Sequence, residues 1–196
     1  MARRANKSAS RHGGDRMLRI IGGQWRGRKL QFPDVKDIRP TPDRVRETLF
    51  NWLTPHIHGA RCLDLFAGSG AVGLEALSRG AGEVVMVERE SRAANSLREH
   101  GKLLQADGLK VVQADALHYL QSKTEPFNIV FLDPPFRRGL LEECLQGLQG
   151  GDWLAPDALI YIEVEKELGE LDLPDGWELL KEKVSGQVSY NLVQTH

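Results

Sequence analysis

Cysteines and long apolar runs are both scarce in this chain of 196 residues. Its two cysteines, Cys62 and Cys144, cannot by themselves build a disulfide framework or a metal site. No apolar run approaches the roughly 18 to 20 residues that a membrane-spanning helix needs, and the amino terminus lacks the apolar stretch of a secretory signal. We therefore expect no membrane contact and a reducing, cytoplasmic setting.

Two further patterns are missing. The six histidines, among them His56, His58, His100 and His118, show no metal-ligand spacing. No serine or cysteine nucleophile motif is present either. We expect neither a metal centre nor a covalent intermediate on such a side chain.

The formal net charge of −1 is small only because two regions of opposite charge cancel. Residues 1–46 contain 13 Lys+Arg and 4 Asp+Glu, a balance of +9, whereas residues 47–196 contain 13 and 23, a balance of −10. A basic front on an acidic body predicts contacts with a phosphate backbone. A solvated tail that improves solubility is the simpler alternative.

The basic front divides into a tail and a hairpin. Residues 1–16 are rich in Arg, Ser and Gly and have little to bury, which predicts disorder. A mitochondrial targeting peptide has a similar composition, but no amphipathic apolar face is present. Residues 17–38 predict a basic β-hairpin with a Gly-Gly turn. On its return strand we place Trp25, Arg26, Arg28 and Lys29.

Residues 39–196 predict one α/β domain. The segment RPTPDRVRETLFNWL predicts a helix with Thr41 as N-cap, Pro42 at the first helical position and an apolar face that docks on the body. From residue 60 onward, short apolar segments alternate with helical ones, which predicts a parallel sheet with helices on both faces. The last two segments are linked only by residues 185–187, so they must be antiparallel neighbours.

The turn DLFAGSGAVGLE carries Gly68, Gly70 and Gly73 between a strand and a helix, and Glu88 ends the next strand. This spacing is typical of dinucleotide sites. Asp64, however, stands before the first glycine, and a carboxylate there suits a positively charged amino group better than a phosphate. The pattern therefore favours a nucleoside that carries an amino acid. Alternatively, Asp64 only binds the amides of its own loop.

Two acids follow neighbouring strands and can face the same crevice. Glu88 would accept from ribose hydroxyls, and Asp115 would accept from an adenine amino group. The backbone of Ala116 would meet a ring nitrogen. Because Asp115 directly precedes a helix, a role as helix cap is the main alternative.

Together these residues match the cofactor motifs of class I S-adenosylmethionine-dependent methyltransferases. The DPPF sequence of residues 133–136 resembles the motif of those members that methylate exocyclic amines of nucleobases. With IIGGQWRGRKL, RPTPDRVRETLFNWL, DLFAGSGAVGLEALSRGA and FLDPPFRRGLLEE, the chain closely resembles the RsmD family over roughly residues 18–195. That family transfers a methyl group to a guanine N2 of 16S ribosomal RNA in the small subunit.

The resemblance implies a Rossmann-like sheet of seven strands whose last strand is antiparallel, preceded by the hairpin. It also implies S-adenosylmethionine as cofactor, S-adenosylhomocysteine as product, and a monomer that acts on an assembled or assembling small subunit. Residues 39–41 match the segment that in this family closes over the methionine end of the cofactor. The implied cofactor-binding residues are Asp64, Phe66, Ala67, Gly68, Gly70, Glu88, Arg89, Asp115, Ala116 and Thr41.

The DPPF motif implies how an amine becomes nucleophilic. An exocyclic amine shares its lone pair with the ring, and Asp133 with the carbonyl of Pro134 can accept its two hydrogens. Pro134 and Pro135 hold that carbonyl in place, and Phe136 can stack on a base turned out of its helix. An ordinary strand-ending turn is the alternative. Residues expected to contact RNA are Trp25, Arg26, Arg28, Lys29, Arg137 and Arg138.

Three other functions remain open from the sequence. The same motif serves enzymes that methylate DNA adenine or protein glutamine. The glycine pattern alone permits a nicotinamide oxidoreductase, although it leaves Asp64 and the two prolines unexplained. A non-enzymatic RNA-binding module that keeps a cofactor pocket is the third.

Overall fold

A computed structural model describes residues 16–35, 41–123, 125–135 and 139–196. The predicted tail lies outside this range except for Arg16, which already belongs to the first strand. No helix within the described ranges is long and apolar enough to cross a membrane. The division of the chain into tail, hairpin and domain stays a prediction.

Nine strands and five α-helices make up the described chain. The strands are β1 Arg16–Arg19, β2 Lys29–Phe32, β3 Arg61–Asp64, β4 Glu83–Val87, β5 Leu109–Val112, β6 Phe127–Leu132, β7 Leu154–Glu165, β8 Trp177–Ser185 and β9 Val188–Thr195. The helices are α1 Asp43–Leu53, α2 Ala71–Ser78, α3 Ser91–Leu104, α4 Ala116–Tyr119 and α5 Leu140–Gln149.

Seven of these strands form one sheet in the order β5-β4-β3-β6-β7-β9-β8. The first five are parallel, and β9 is antiparallel to both of its neighbours, β7 and β8. Ser185 pairs with Val188, so the link between β8 and β9 is a tight turn at Gly186 and Gln187, with Gly186 at φ +64°. The predicted parallel sheet with a terminal hairpin is confirmed.

Strand alternation divides the core between the two faces of the sheet. Ile129 and Phe131 of β6 point into the first core cluster, where they meet α1, α2, α3 and the β1–β2 hairpin. Val130 and Leu132 point the other way, into a second cluster with α4 and α5. Each strand residue therefore belongs to one face by its parity, and helices cover both faces as predicted.

The hairpin differs from its prediction in the turn. A longer connection, residues 20–28, replaces the Gly-Gly turn, so Trp25, Arg26 and Arg28 lie in the loop, and only Lys29 is on the return strand. The loop packs on the end of α2, where Gln24 N donates to Ser78 O at 2.7 Å. Gly23 has φ +73°, and a Cβ there would lie 1.7 Å from Ser78 O. This contact with α2 determines the path of the loop. The turn preferences of the local sequence carry no information about such a distant contact.

Helix α1 begins one residue later than predicted. Pro42, at φ −56° and ψ 145°, is the N-cap, and Asp43 is the first helical residue. Thr41 therefore does not cap the helix. It is buried instead, and its carbonyl accepts a hydrogen bond from Arg46 Nε at 3.2 Å.

Arg46 lies inside the first core cluster with its side chain 1% exposed. Its guanidinium donates to Glu75 Oε2 at 3.2 Å, to Asp43 Oδ1 at 2.6 Å and to Arg19 O at 2.8 Å. A buried guanidinium is tolerated only when its donors are matched in this way. These bonds connect α1 to α2 and to the end of β1.

Glu75, with a side chain that is fully buried, completes the network from α2. Its Oε2 also accepts from Ile21 N at 2.9 Å, and its Oε1 accepts from Arg79 Nε at 2.8 Å. The hairpin loop is thus bonded to the same carboxylate that holds α1. We name this group of Arg46, Glu75 and Arg79 the arginine–glutamate network.

Replacing Arg46 with Ala should therefore destabilise the whole fold. The change leaves Glu75 buried with one cation fewer, and removing one partner of a buried pair costs about 3–5 kcal/mol. Denaturant unfolding measures the difference. Arg44→Ala is the matched control, because Arg44 is exposed on the same helix and should cost about 0.5 kcal/mol or less. Equal stabilities of the two variants would contradict a structural role for Arg46.

Candidate functional site

The candidate site lies where the parallel strands end. Asp64 closes β3, Glu88 follows β4, and Asp133 follows β6. The carboxyl ends of parallel strands meet at one edge of a sheet, which is where open α/β sheets bind their ligands. The structure therefore brings together the acids that the sequence singled out.

Asp64 is 5% exposed, and its Oδ2 accepts from Gly73 N at 3.2 Å. Burial raises the pKa of Asp64 to about 7, and the Glu88 charge adds to this, while the backbone amides of Gly73 and Phe66 act in the opposite direction. The alternative role, binding amides of its own loop, is thus present in the structure. These two amides leave further acceptor positions for a ligand, because a carboxylate has about four.

The glycine loop approaches Asp64 closely. Gly70, at φ +79°, is the N-cap of α2. A Cβ at Gly73 would lie 2.4 Å from Met86 Cε and 3.1 Å from Asp64 Oδ2. A side chain at position 73 would require Met86 and the Asp64 carboxylate to shift, so glycine here keeps α2 close to the end of β3.

Glu88 supports the loop from the neighbouring strand. It is 8% exposed, its Oε2 accepts from Gly68 N at 2.8 Å, and its Oε1 accepts from Glu90 N at 2.7 Å. Both oxygens therefore hold backbone amides and keep further lone pairs. Arg89, directly after it, is exposed.

Asp115 is the N-cap of α4. Its Oδ1 accepts from Leu117 N at 3.0 Å and from His118 N at 3.4 Å, so the alternative role as a helix cap is present. The residue is exposed, while Ala116 and Ala67 are buried and Phe66 is half-buried. Capping engages Oδ1, and Oδ2 remains for a second partner.

The predicted catalytic segment leaves the sheet after β6. Asp133 and Pro135 are partly exposed, and Pro134 is buried. Burial of the carboxyl and the nearby charges of Glu163 and Asp64 raise the pKa of Asp133 well above its usual range. Phe136, Arg137 and Arg138 lie outside the described residues, as do Arg39 and Pro40.

A cavity of about 410 Å³ borders this segment. It is lined by Pro134, Pro135, Gly139, Leu140, Leu141, Val164, Glu165, Glu167 and Leu168. Its apolar residues Leu141 and Val164 belong to the second core cluster, so it opens on the α5 face of the sheet. The carboxylates of Asp64 and Glu163 do not line it.

Glu163 is an acid of the site that sequence reasoning missed. It is 7% exposed in β7, and Tyr161 Oη donates to its Oε2 at 3.2 Å. Burial raises the pKa of Glu163 to about 7. Burial also raises the pKa values of Tyr161 and Tyr190, and the charges of Glu163 and Asp133 add to this. An acid inside the apolar run ALIYIEV was the available signal.

No cation offsets these acids within the described chain. The groups that shift the pKa values of Asp64, Asp133 and Glu163 include no lysine or arginine, and none of the three forms an ion pair there. A row of carboxylates without an internal cation fits a ligand that is positively charged, and it disfavours a pyrophosphate. The residues present therefore suit the sulfonium and ammonium groups of S-adenosylmethionine.

Four of the six predicted RNA-binding residues lie on the hairpin, and the other two, Arg137 and Arg138, lie outside the described residues. Arg26, Arg28 and Lys29 are exposed, whereas Trp25 is half-buried against the first core cluster, and its backbone N donates to Ser78 Oγ at 3.0 Å. The basic side chains thus face solvent, and part of the indole is used in packing. Among the described residues, no group of His, Cys, Asp and Glu has the arrangement of a metal site.

Known proteins resemble this chain over nearly its full length. It is 54% identical over 183 residues to the ribosomal RNA small subunit methyltransferase D of Escherichia coli K12, which covers 93% of this chain and 92% of that protein. The Haemophilus influenzae protein of the same name is 48% identical over 181 residues, covering 90% and 93%.

Solved structures agree. The structure described as putative methyltransferase yhhF from Escherichia coli superposes with a TM-score of 0.87 at 53% identity, covering 91% of this chain and 98% of that one. The profile of the family described as Conserved hypothetical protein 95 matches residues 18–194. This chain therefore belongs to that family, the RsmD family that its motifs predicted.

Proposed function

We propose that this protein transfers a methyl group from S-adenosylmethionine to the exocyclic N2 of a guanine in 16S ribosomal RNA. The similarity to proteins named ribosomal RNA small subunit methyltransferase D supports methylation of ribosomal RNA in general. The observation that carries the finer proposal is the row of carboxylates without a cation beside the Asp-Pro-Pro segment. It offers both a place for a cationic cofactor and acceptors for an amine.

The cofactor would lie across β3, β4 and β5. Asp64 would bind its ammonium group, Glu88 its ribose hydroxyls, and Asp115 its adenine amino group. Ala116 N, at the first position of α4, lacks an intrahelical acceptor and would donate to a ring nitrogen. Backbone contacts would come from Phe66, Ala67, Gly68, Gly70 and Arg89, with Thr41 near the methionine end.

When bound, S-adenosylmethionine supplies an electrophilic methyl group on a sulfonium. Asp133 and the carbonyl of Pro134 accept the two hydrogens of the guanine amine, which directs its lone pair toward that methyl. Phe136 stacks on the base once it has turned out of its helix. Transfer of that methyl to the amine nitrogen would leave S-adenosylhomocysteine and release one proton from the amine. Asp133, whose pKa is raised, is the acceptor in reach.

The basic hairpin loop would dock the RNA. Arg26, Arg28 and Lys29 would bind phosphates, Arg137 and Arg138 would add contacts beside the reacting base, and Trp25 would offer its exposed edge. Action on an assembled or assembling small subunit, by a monomer in the cytoplasm, completes the proposal.

Product analysis tests the proposed function directly. The protein is incubated with labelled S-adenosylmethionine and, separately, with deproteinised small-subunit RNA, small subunits and DNA. Digestion and mass spectrometry then identify the labelled nucleoside. We expect N2-methylguanosine from RNA or subunits only. Label in N6-methyladenine would overturn the guanine assignment, and binding of the cofactor without turnover would favour a non-enzymatic module.

Replacing Asp133 with Ala removes one acceptor of the amine. Methyl transfer should fall by about 10²- to 10³-fold, the effect of losing one preorganised electrostatic partner. Cofactor affinity, measured by calorimetry, should barely change. Asp172→Ala, in an exposed loop, is the control that should keep full activity. If Asp133→Ala lost cofactor binding together with activity, Asp133 would belong to the cofactor pocket instead.

The carboxylate row makes the cofactor-free protein less stable as pH rises. In the folded protein the pKa of Glu163 is about 7, above its ordinary value of 4.5. Between these values the folded state binds more protons than the unfolded state, so stability falls as pH increases. Asp64 and Asp133, whose pKa values burial also raises, share in the effect.

Glu163→Gln removes one of these ionisations. The Tm of the variant minus that of the wild type should therefore become more positive from pH 5 to pH 8, since Gln stays neutral where Glu163 is charged. Thermal denaturation without cofactor measures both values. Glu170→Gln, in the exposed segment between β7 and β8, should give the same difference at both pH values. A difference for Glu163→Gln that is independent of pH would count against the raised pKa.

Replacing Arg26, Arg28 and Lys29 together with Ala should weaken RNA binding and leave cofactor affinity intact. Each lost phosphate contact makes the slope of log affinity against log salt less steep by about 0.7 for single strands and 0.9 for duplexes. Three lost contacts should therefore reduce the steepness by roughly two to three. Turnover at saturating RNA should change little, because these residues position the substrate.

RNA affinity at several salt concentrations, together with single-turnover methylation, measures both effects. The control replaces Lys102, Lys166 and Lys181, which are exposed on other parts of the body, and should leave the slope nearly unchanged. If the hairpin variant kept the wild-type slope, another surface would have to bind the RNA.

A further inference from the structure

Guanine presents three hydrogens along the edge that carries its exocyclic amine. Two belong to N2 and the third belongs to ring nitrogen N1 beside it. In the proposed function, Asp133 and the carbonyl of Pro134 accept the two amine hydrogens. A base held in a partly dry site must also satisfy N1–H, because an unpaired buried donor costs binding energy. The site therefore needs a third acceptor next to Asp133.

The register of the sheet places Glu163 in that position. Leu132 of β6 pairs with Ile162 of β7, and both point into the second core cluster. The next residues along the two chains are Asp133 and Glu163. Neighbouring parallel strands lie about 4.8 Å apart. The pKa shifts agree with this position. The Glu163 charge contributes to the raised pKa of Asp133, and the charges of both acids contribute to the raised pKa of Tyr161.

One oxygen of Glu163 is fixed and the other is open. Tyr161 Oη holds Oε2, and within the described residues Oε1 accepts no hydrogen bond. Glu163 as a whole is 7% exposed. A buried, oriented carboxylate with one open oxygen is suited to accept a hydrogen from a ligand.

We infer that Glu163 accepts the N1–H of the target guanine and thereby makes the site selective for guanine over adenine-like bases. The inference rests on the proposed function and deepens it. In adenine and its 2-amino derivative, ring nitrogen N1 carries a lone pair and no hydrogen. That lone pair would face the carboxylate of Glu163, and neither group could donate to the other. Asp133 and Pro134 cannot make this distinction, since an amine offers them the same two hydrogens on either base.

A base analogue isolates this contact. 2,6-Diaminopurine keeps the 2-amino group of guanine but has an unprotonated N1. Once mass spectrometry has mapped the methylated position, ligation of synthetic RNA places guanine or 2,6-diaminopurine there, in deproteinised RNA and in reconstituted subunits. Transfer to the 2-amino group is measured as kcat/KM at pH 8, where Glu163 is mostly ionised.

The wild type should prefer guanine by about 10²-fold, the discrimination typical of one well-placed base contact. Glu163→Gln should narrow this preference to about tenfold or less, because its amide can either accept from N1–H or donate to the lone pair of N1. Glu178→Gln, exposed on β8, should keep the wild-type ratio. A purely electrostatic effect of Glu163 on Asp133 would change both rates by one factor and leave the ratio unaltered.

Three results would overturn the inference. Equal wild-type rates on the two bases would do so without any variant. An unchanged ratio in a folded, cofactor-binding Glu163→Gln would do so as well. A wild type that methylates no guanine N2 at all would overturn the proposed function and the inference with it, which distinguishes that failure from the first two.

Discussion

Arg46 and Glu75 form an ion pair in which both side chains are nearly inaccessible to solvent, and three parts of the chain meet there. Arg46 belongs to α1 and Glu75 belongs to α2, and the two side chains are hydrogen-bonded. Ile21 of the hairpin loop donates its backbone N–H to the same Glu75 carboxylate. Because a buried charge without its partners is strongly destabilising, none of these segments can move away alone. The same guanidinium donates to the carbonyl of Thr41, which fixes the chain as it enters α1.

The position of α2 in turn determines the geometry of the candidate cofactor site. Gly73 lies two residues before Glu75 on the helix, and its amide holds the Asp64 carboxylate. Glu88 fixes the other side of the loop through Gly68 N. Asp64 is therefore oriented by a chain of contacts that begins in the apolar core. This arrangement explains how an acid of raised pKa is held beside other acids without a local cation.

The sequence predicts the sheet well because its signals are local and repeated. Apolar segments alternate with helical ones, and a link as short as residues 185–187 permits only an antiparallel pair. The hairpin turn was misplaced because a contact with Ser78, distant in sequence, determines its path. The start of α1 was misplaced by one residue, because the carbonyl of Thr41 accepts from the buried Arg46 side chain and its hydroxyl does not cap the helix. Glu163 escaped notice because in a strand buried on both faces an acid has no alternating pattern to mark it. Arg46 looks like any exposed helical arginine until Glu75 is seen opposite it.

The buried acids at the carboxyl end of the sheet destabilise the folded protein when they are ionised. Desolvation raises the pKa values of Asp64 and Glu163 to about 7, so both acids are partly protonated near neutral pH, and a bound cation would favour loss of those protons. A positively charged ligand lowers those pKa values. Its binding also raises the free energy of unfolding, by an amount that depends on its affinity. Cofactor binding and ionisation of the acids are thus linked, and the carboxylates become hydrogen-bond acceptors most fully when the cofactor is in place. Under the proposed function, the bound methyl donor would thereby improve the site as an acceptor for the amine.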